Sequence, residues 1–175
     1  NTYIDYECDV ASGSKIRFGT RLLGRTIVED NCDISGVIKD SLIKYGSIII
    51  DSVITNSIID EDVVVGPFSY VHNDCHIKDG CVIGSYAEIK KSTIGTRSKM
   101  KHQGVILDSI IGDNVNIGAG VITANYDGKM KHIVNIGNGC FIGCNSVIVA
   151  PVNIGDDCFV AADTTVVNDV KDNEF

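Results

Sequence analysis

What this chain lacks removes several classes of protein at once. No apolar run approaches the ~18 residues of a membrane-spanning helix. The opening residues Asn1-Thr2-Tyr3-Ile4-Asp5 have neither the basic start nor the apolar stretch of a secretory signal. Asn1 stands where a start methionine would, so the sequence reads as a piece of something longer. Basic residues are outnumbered, 15 Lys and Arg against 23 Asp and Glu, and the net charge of −8 argues against a nucleic-acid partner. The seven cysteines form no Cys-x-x-Cys pair. There is no nucleophile elbow, no phosphate loop and no glycine-rich nucleotide loop.

What is present is a period of six. Ile136, Ile142, Ile148, Ile154, Val160 and Val166 follow one another at that interval. Cys140, Ser146, Val152, Cys158 and Thr164 come four residues after the first five. Six is neither the helical 3.6 nor the plain strand's 2, and it belongs to a stacked parallel β-helix. Each hexad makes one short strand and one turn, and three hexads close a triangular coil. The leading aliphatic points inward, the small residue four later fills the corner, and glycine lets the chain bend. Hydrophobic content of 44% over 175 residues suits one continuous array.

The pattern divides the chain into irregular coils over 1–58 and regular coils over 59–175, within one continuous domain. Ile4, Val10, Ile16 and Leu22 keep the spacing, which then shifts at Gly24-Arg25-Thr26 before Val28 and Ile34. From Val37 to Ile59 doubled aliphatics such as Ile48-Ile49-Ile50 blur the register. The clean repeat resumes at Ile59, with steps of five at Ile94 and Ile111. About nine coils are expected, a prism roughly 40–45 Å long. One insertion, 124–135, interrupts it, and in a solenoid such an insertion maps to a loop, often on the binding face.

Six cysteines, Cys8, Cys32, Cys75, Cys81, Cys140 and Cys158, lie four residues after an aliphatic. They read as reduced, buried corner residues of a cytoplasmic protein. Cys144, two residues after Ile142, should face outward. Seven of the 15 basic residues fall in two clusters: Lys90, Lys91, Arg97, Lys99 and Lys101, then Lys129 and Lys131. Residues 133–170 hold none. The clusters are expected to share one end of one groove, a focus suited to a small phosphorylated ligand. His102 is the candidate general base beside them, and a solvated face is the plainer alternative.

Ordered motifs then carry a resemblance. Gly66-Pro67-Phe68, Glu88-Ile89-Lys90-Lys91, Lys101-His102, Asn116-Ile117-Gly118-Ala119-Gly120, Asn125-Tyr126-Asp127-Gly128 and Val149-Ala150-Pro151 occur in sequence. Together they resemble the C-terminal acetyltransferase domain of the bifunctional N-acetylglucosamine-1-phosphate uridyltransferase/glucosamine-1-phosphate acetyltransferase family (GlmU-like). The spacing matches without a gap from about 66 to 170. The resemblance implies a left-handed parallel β-helix, a homotrimer, acetyl-CoA as donor and an amino-sugar phosphate, glucosamine 1-phosphate, as acceptor. No metal is needed for the transfer, and neither a nucleic acid nor a membrane is implied as partner.

By match of motif, His102 is the base and Lys90 binds the sugar phosphate. Asn116, Asn125 and Tyr126 contact the sugar or acetyl region. Ala119, Cys144 and Ala162 line the coenzyme A groove, and Lys131 comes from the insertion across a subunit boundary. His72 stands where the family has a phosphate-binding Arg, Val105 where it has Tyr, and Cys144 where it usually has Ser. The nucleotidyltransferase half is absent from this sequence. A non-catalytic trimerisation module is the alternative reading. A γ-type carbonic anhydrase is discounted, because His72 and His76 are one residue closer than its usual His-x4-His pair.

Overall fold

The computed structural model describes residues 1–175. It contains strands and turns and no helix. All strand pairs are parallel, and each strand lies on its counterpart one coil away, so a single sheet winds around three faces. The column Ile4, Leu22, Ile38, Ile54, Val71, Ile89, Ile106, Thr123, Ile148, Val166 lines the inside of the first face, one residue per coil. The second face stacks Val10, Val28, Ile43, Ile59, Ile77, Ile94, Ile111, Ile136, Ile154 and Val170. The third stacks Ile16, Ile34, Ile49, Val65, Ile83, Met100, Ile117, Ile142 and Val160. These columns and their corner residues fuse into one core of 36 buried side chains. Each fully buried aliphatic contributes about 1.5–3 kcal/mol, so the prism is held along its whole length.

The blurred stretch resolves into shortened coils. Ile43 sits on Val28 and Ile49 on Ile34, fifteen residues apart, where Leu22 sits on Ile4 at eighteen. The four-residue step from Ile34 to Ile38 turns at Gly36, which has φ +115°. A Cβ there would stand 2.1 Å from the Ser52 carbonyl, so only glycine allows this tight corner. Shorter coils give ten residues in the first column, against the nine coils expected. Of the triplet Ile48-Ile49-Ile50, Ile49 is buried while its neighbours point outward. Ile4 is 46% exposed because no coil lies beneath it.

Thr123 is the polar member of its column, and it is fully buried. Its hydroxyl accepts the Leu107 N–H at 2.7 Å and donates to the Leu107 carbonyl at 3.1 Å, which removes the cost of burial. Beyond it the chain leaves the prism and returns at Val134, so that Ile136 lands on Ile111 after twenty-five residues. Inside the corners, Cys32, Cys75, Cys81, Cys140 and Cys158 are buried, Cys8 is half-buried in the lowest coil, and Cys144 is exposed. All seven are free thiols.

Candidate functional site

Between the third and first faces runs an edge made of two-residue turns. The strand register stacks Ser85, His102, Ala119, Cys144 and Ala162 along it, one per coil. Backbone bonds tie the upper turns together: Asn145 N–H to the Ala119 carbonyl at 2.7 Å, Asp163 N–H to the Cys144 carbonyl at 2.8 Å. Gly84, Gly118 and Gly143 precede these turns. A Cβ on Gly143 would stand 2.4 Å from the Ala162 nitrogen, so the coils approach as closely as backbone allows. The result is a narrow, small-residue edge with His102 at its foot. The His102 ring is exposed and makes no hydrogen bond within the chain, so both nitrogens are available. Ser85, Tyr86, His102, Gln103 and Ala119 line a shallow concavity here.

The remaining candidates lie elsewhere on the same chain. His72 and Lys90 are register partners at the far end of the first face. Along a strand, five residues separate the column of Ser85 and His102 from that of Lys90, roughly 15 Å. The His72 side chain is only 9% exposed. Its ring stacks on Tyr70 with centroids 3.9 Å apart and planes 3° apart, and Nε2 is 3.4 Å from Glu88 Oε1. Val105 lies between Glu88 and Ile122 on the outside of the same face. Asn116 is on the third face, between Lys99 and Phe141.

The insertion is a small hairpin on the edge between the first and second faces. Tyr126 and Lys131 pair across it, and His132 N–H bonds back to the Asn125 carbonyl at 2.8 Å. Asn125 is buried, and its amide donates to the Asp108 carboxylate. Asp127 closes the turn. One oxygen accepts the N–H groups of Lys129 and Met130, each at 2.7 Å, and the other meets His132 Nε2 at 2.8 Å. These contacts, the Met130 N–H foremost, hold its carboxyl well below the usual range. Tyr126, Lys129, Met130 and Lys131 are left exposed.

The structure therefore brings His102, Ala119, Cys144 and Ala162 onto one edge. It does not bring Lys90, His72, Asn125, Tyr126 or Lys131 to that edge within one chain. The basic clusters share an edge only in part: Lys90 and Lys91 stand two coils below the hairpin of Lys129 and Lys131, with Asp108 between them, while Arg97, Lys99 and Lys101 lie elsewhere. Coils of seventeen residues carry Lys90 and Lys91 to one corner, Arg97 to the next and Lys101 to the third. Arg97 is held there by Asn114 at 3.0 Å. Sequence reasoning passed over Tyr86, which shares the concavity with His102. Its signal was an aromatic in a turn slot where the upper coils carry Gly, Asn or Asp. No three His, Cys, Asp or Glu side chains converge in a metal-holding group.

Comparison with known proteins agrees with this picture. The model of the GMPPB C-terminal domain matches residues 53–127, and that of the bacterial transferase hexapeptide, six repeats, matches 133–168. Bifunctional protein GlmU of Geobacillus sp. (strain WCH70) is 43% identical over 175 residues, 99% of this chain and 38% of the relative. Bifunctional protein GlmU of Thermotoga petrophila is 44% identical over 153 residues, 86% of this chain and 34% of the relative. The chain thus spans a little over a third of the curated relatives it matches.

Among solved structures, LpxA from Acinetobacter baumannii superimposes with a TM-score of 0.71 at 16% identity, covering 97% of this chain and 66% of that one. The Arabidopsis UDP-N-acetylglucosamine acyltransferase gives 0.55 at 12% identity, covering 97% and 67%. At such identities the likeness carries the fold alone, a left-handed parallel β-helix, as the resemblance implied. Identity along nearly the whole chain, with both family models lying on it side by side, matches the chain to the C-terminal domain of the GlmU-like hexapeptide-repeat proteins.

Proposed function

We propose that this chain is an acyltransferase of the UDP-GlcNAc pathway that moves the acetyl group of acetyl-CoA onto the amine of glucosamine 1-phosphate. The observation that carries the reading is the edge itself. A free imidazole, His102, stands at the foot of a column of small side chains, Ala119, Cys144 and Ala162, along which an extended pantetheine arm can lie. The transfer needs little more. The amine nitrogen attacks the thioester carbonyl, His102 takes the proton that nitrogen sheds, and the C–S bond breaks to release the coenzyme thiol. Lys90 meets the acceptor's phosphate, with His72 beside it. Asn116, Asn125, Tyr126 and Lys131 complete the acceptor pocket.

That pocket requires more than one copy of the chain. In a homotrimer the His102 edge of one subunit faces the hairpin of the next, which joins the groups that a single chain holds apart. The machinery lies within residues 59–175, and in the full protein a nucleotidyltransferase domain accompanies it. No helix is long and apolar enough to cross a membrane, and the free thiols suit a reducing cytoplasm.

The test is acetyl transfer by purified protein, followed as N-acetylglucosamine 1-phosphate by mass spectrometry. His102→Ala should lower the rate roughly 10²–10⁴-fold and leave the assembly intact. An unchanged rate in that variant would remove His102 from the chemistry. A second reading, a trimerisation module with an idle groove, draws on the stacked, largely buried His72 and on Val105. Parent protein that makes no product at saturating acetyl-CoA would establish it.

A further inference from the structure

The turn slot that follows Ser85, His102, Ala119, Cys144 and Ala162 shows a break in its own rule. Gly120, Asn145 and Asp163 occupy it in the upper coils, all with positive φ. That is the left-handed region, which glycine adopts freely and Asn or Asp tolerate. Gln103, outside that region, occupies the slot in the coil of His102. In the two coils below His102 the slot holds Phe68, φ 60°, and Tyr86, φ 61°. Apart from Lys91 and Arg97, every other non-glycine residue with positive φ in the chain is Asn or Asp. A bulky aromatic in this conformation is strained by about 1–3 kcal/mol, and such strain collects at functional sites. Nor is burial the return for it: Phe68 is 57% and Tyr86 65% exposed. Their rings lie on each other, centroids 5.6 Å apart and planes 28° apart, which leaves the outer face of Tyr86 toward the concavity it shares with His102 and Ala119.

Position along the edge says what comes there. Above His102 the side chains are small, and a thioester whose arm lies on them reaches the imidazole from that side. The attacking amine then arrives from the side the arm leaves open, the coils of Phe68 and Tyr86. Those same coils carry His72 and Lys90, the groups assigned to the acceptor phosphate. Lys90 ends the short strand that begins just after Tyr86.

We infer that Tyr86, backed by Phe68, is the positioning platform for the acceptor's pyranose ring, whose C–H-rich face packs on the phenol ring and points the amine at His102. The inference rests on the acetyl-transfer reading and adds to it a residue that places the sugar ring. Tyr86 touches no reacting atom and acts by placement.

Three substitutions test it. Tyr86→Gly removes the ring and relieves the backbone. It should raise the KM for glucosamine 1-phosphate roughly three- to ten-fold, the scale of one aromatic contact, and leave the KM for acetyl-CoA as it was. Its melting temperature should hold or rise, which a structural aromatic would not allow. Tyr86→Phe should recover the lost acceptor KM, since the ring and not the hydroxyl does the packing. Tyr86→Trp places the sole tryptophan in a chain that has none. Its emission should shift saturably with glucosamine 1-phosphate and stay still with inorganic phosphate. Normal product formation with an unaltered acceptor KM in Tyr86→Gly would overturn the platform and leave acetyl transfer standing. Should the parent make no product, the tryptophan titration still decides: a saturable shift with the sugar keeps the platform, and a flat titration refutes it.

Discussion

Alkylation of the native protein with N-ethylmaleimide should separate one cysteine from the other six, and the structure supplies the size of the gap. Cys75, Cys81 and Cys158 are 2% exposed or less, as are Cys32 and Cys140. Burial pushes the Cys81 and Cys140 thiols from the ordinary 9.0 to about 11. Two pKa units leave about a hundredfold less thiolate at neutral pH, before the loss of access is counted. Cys144 is exposed on the edge, one coil from Ala119 and one from Ala162, about 4.8 Å each way. A maleimide adduct there fills the proposed coenzyme groove. One adduct should therefore form quickly and map to Cys144, with Cys8 slower and the corner thiols slowest. Saturating acetyl-CoA should protect it, and the modified protein should lose transfer, while Cys144→Ser keeps both transfer and resistance to the reagent. Equal rates at Cys81 or Cys140 would refute the corner register. A full adduct at Cys144 with neither protection nor loss of transfer would refute the groove.

Other outcomes follow from the same structure. Sedimentation at micromolar concentration should show a trimer, and a clean monomer would sink the shared acceptor pocket. Val105→Tyr, which restores the hydroxyl that the resemblance places near His102, should raise turnover measurably, and an unchanged rate would remove that position from the site. Burial alone would raise the Asp60 carboxyl, but Lys44 and His76, each 2.6 Å away, outweigh it and hold it below the usual range. Its folded pKa lies under the unfolded value of about 3.9, so its stabilisation is present above that value and lost as pH falls through the folded one. Chemical denaturation from pH 6 to pH 2 should show this loss, and Asp60→Asn should flatten it.

The sequence reading succeeded where period and position are linked. Ile59 through Ile117 alternate in and out at six, with steps of five, and every leading aliphatic predicted there is buried. Cys144 could be set apart from the corner thiols because two residues past an inward aliphatic is an outward slot. Between Ile34 and Ile59 the shortened turns were legible but their register was not, because steps of four and five depend on backbone angles at Gly36, Asp51 and Asn56 that leave no apolar signature. Part of the first charge cluster was misplaced for a related reason: residues ten apart in sequence, such as Lys91 and Lys101, fall on different corners of a seventeen-residue coil, although Lys90 and Lys91 do share an edge with the Lys129 and Lys131 hairpin. His72 was placed in the acceptor site by match of motif alone, which carries no sign of the stack on Tyr70 that holds its ring.

A column in which each coil rests only on its two neighbours melts from its ends, like a zip fastener rather than a globule. The lower end is already loose, with Ile4 half out of the core. At the other end the last turns are held by Ile154 pairing with Val170 and by Phe175 lying on Phe159. His102 sits in the middle of the stack, while Ala162 belongs to the final full coil. Gentle heating or dilute denaturant therefore strips away the far end of the proposed donor groove while the imidazole is still in place. Under the proposed reading, affinity for the coenzyme should fade before the coils around His102 open, and amide exchange should be slowest in those coils.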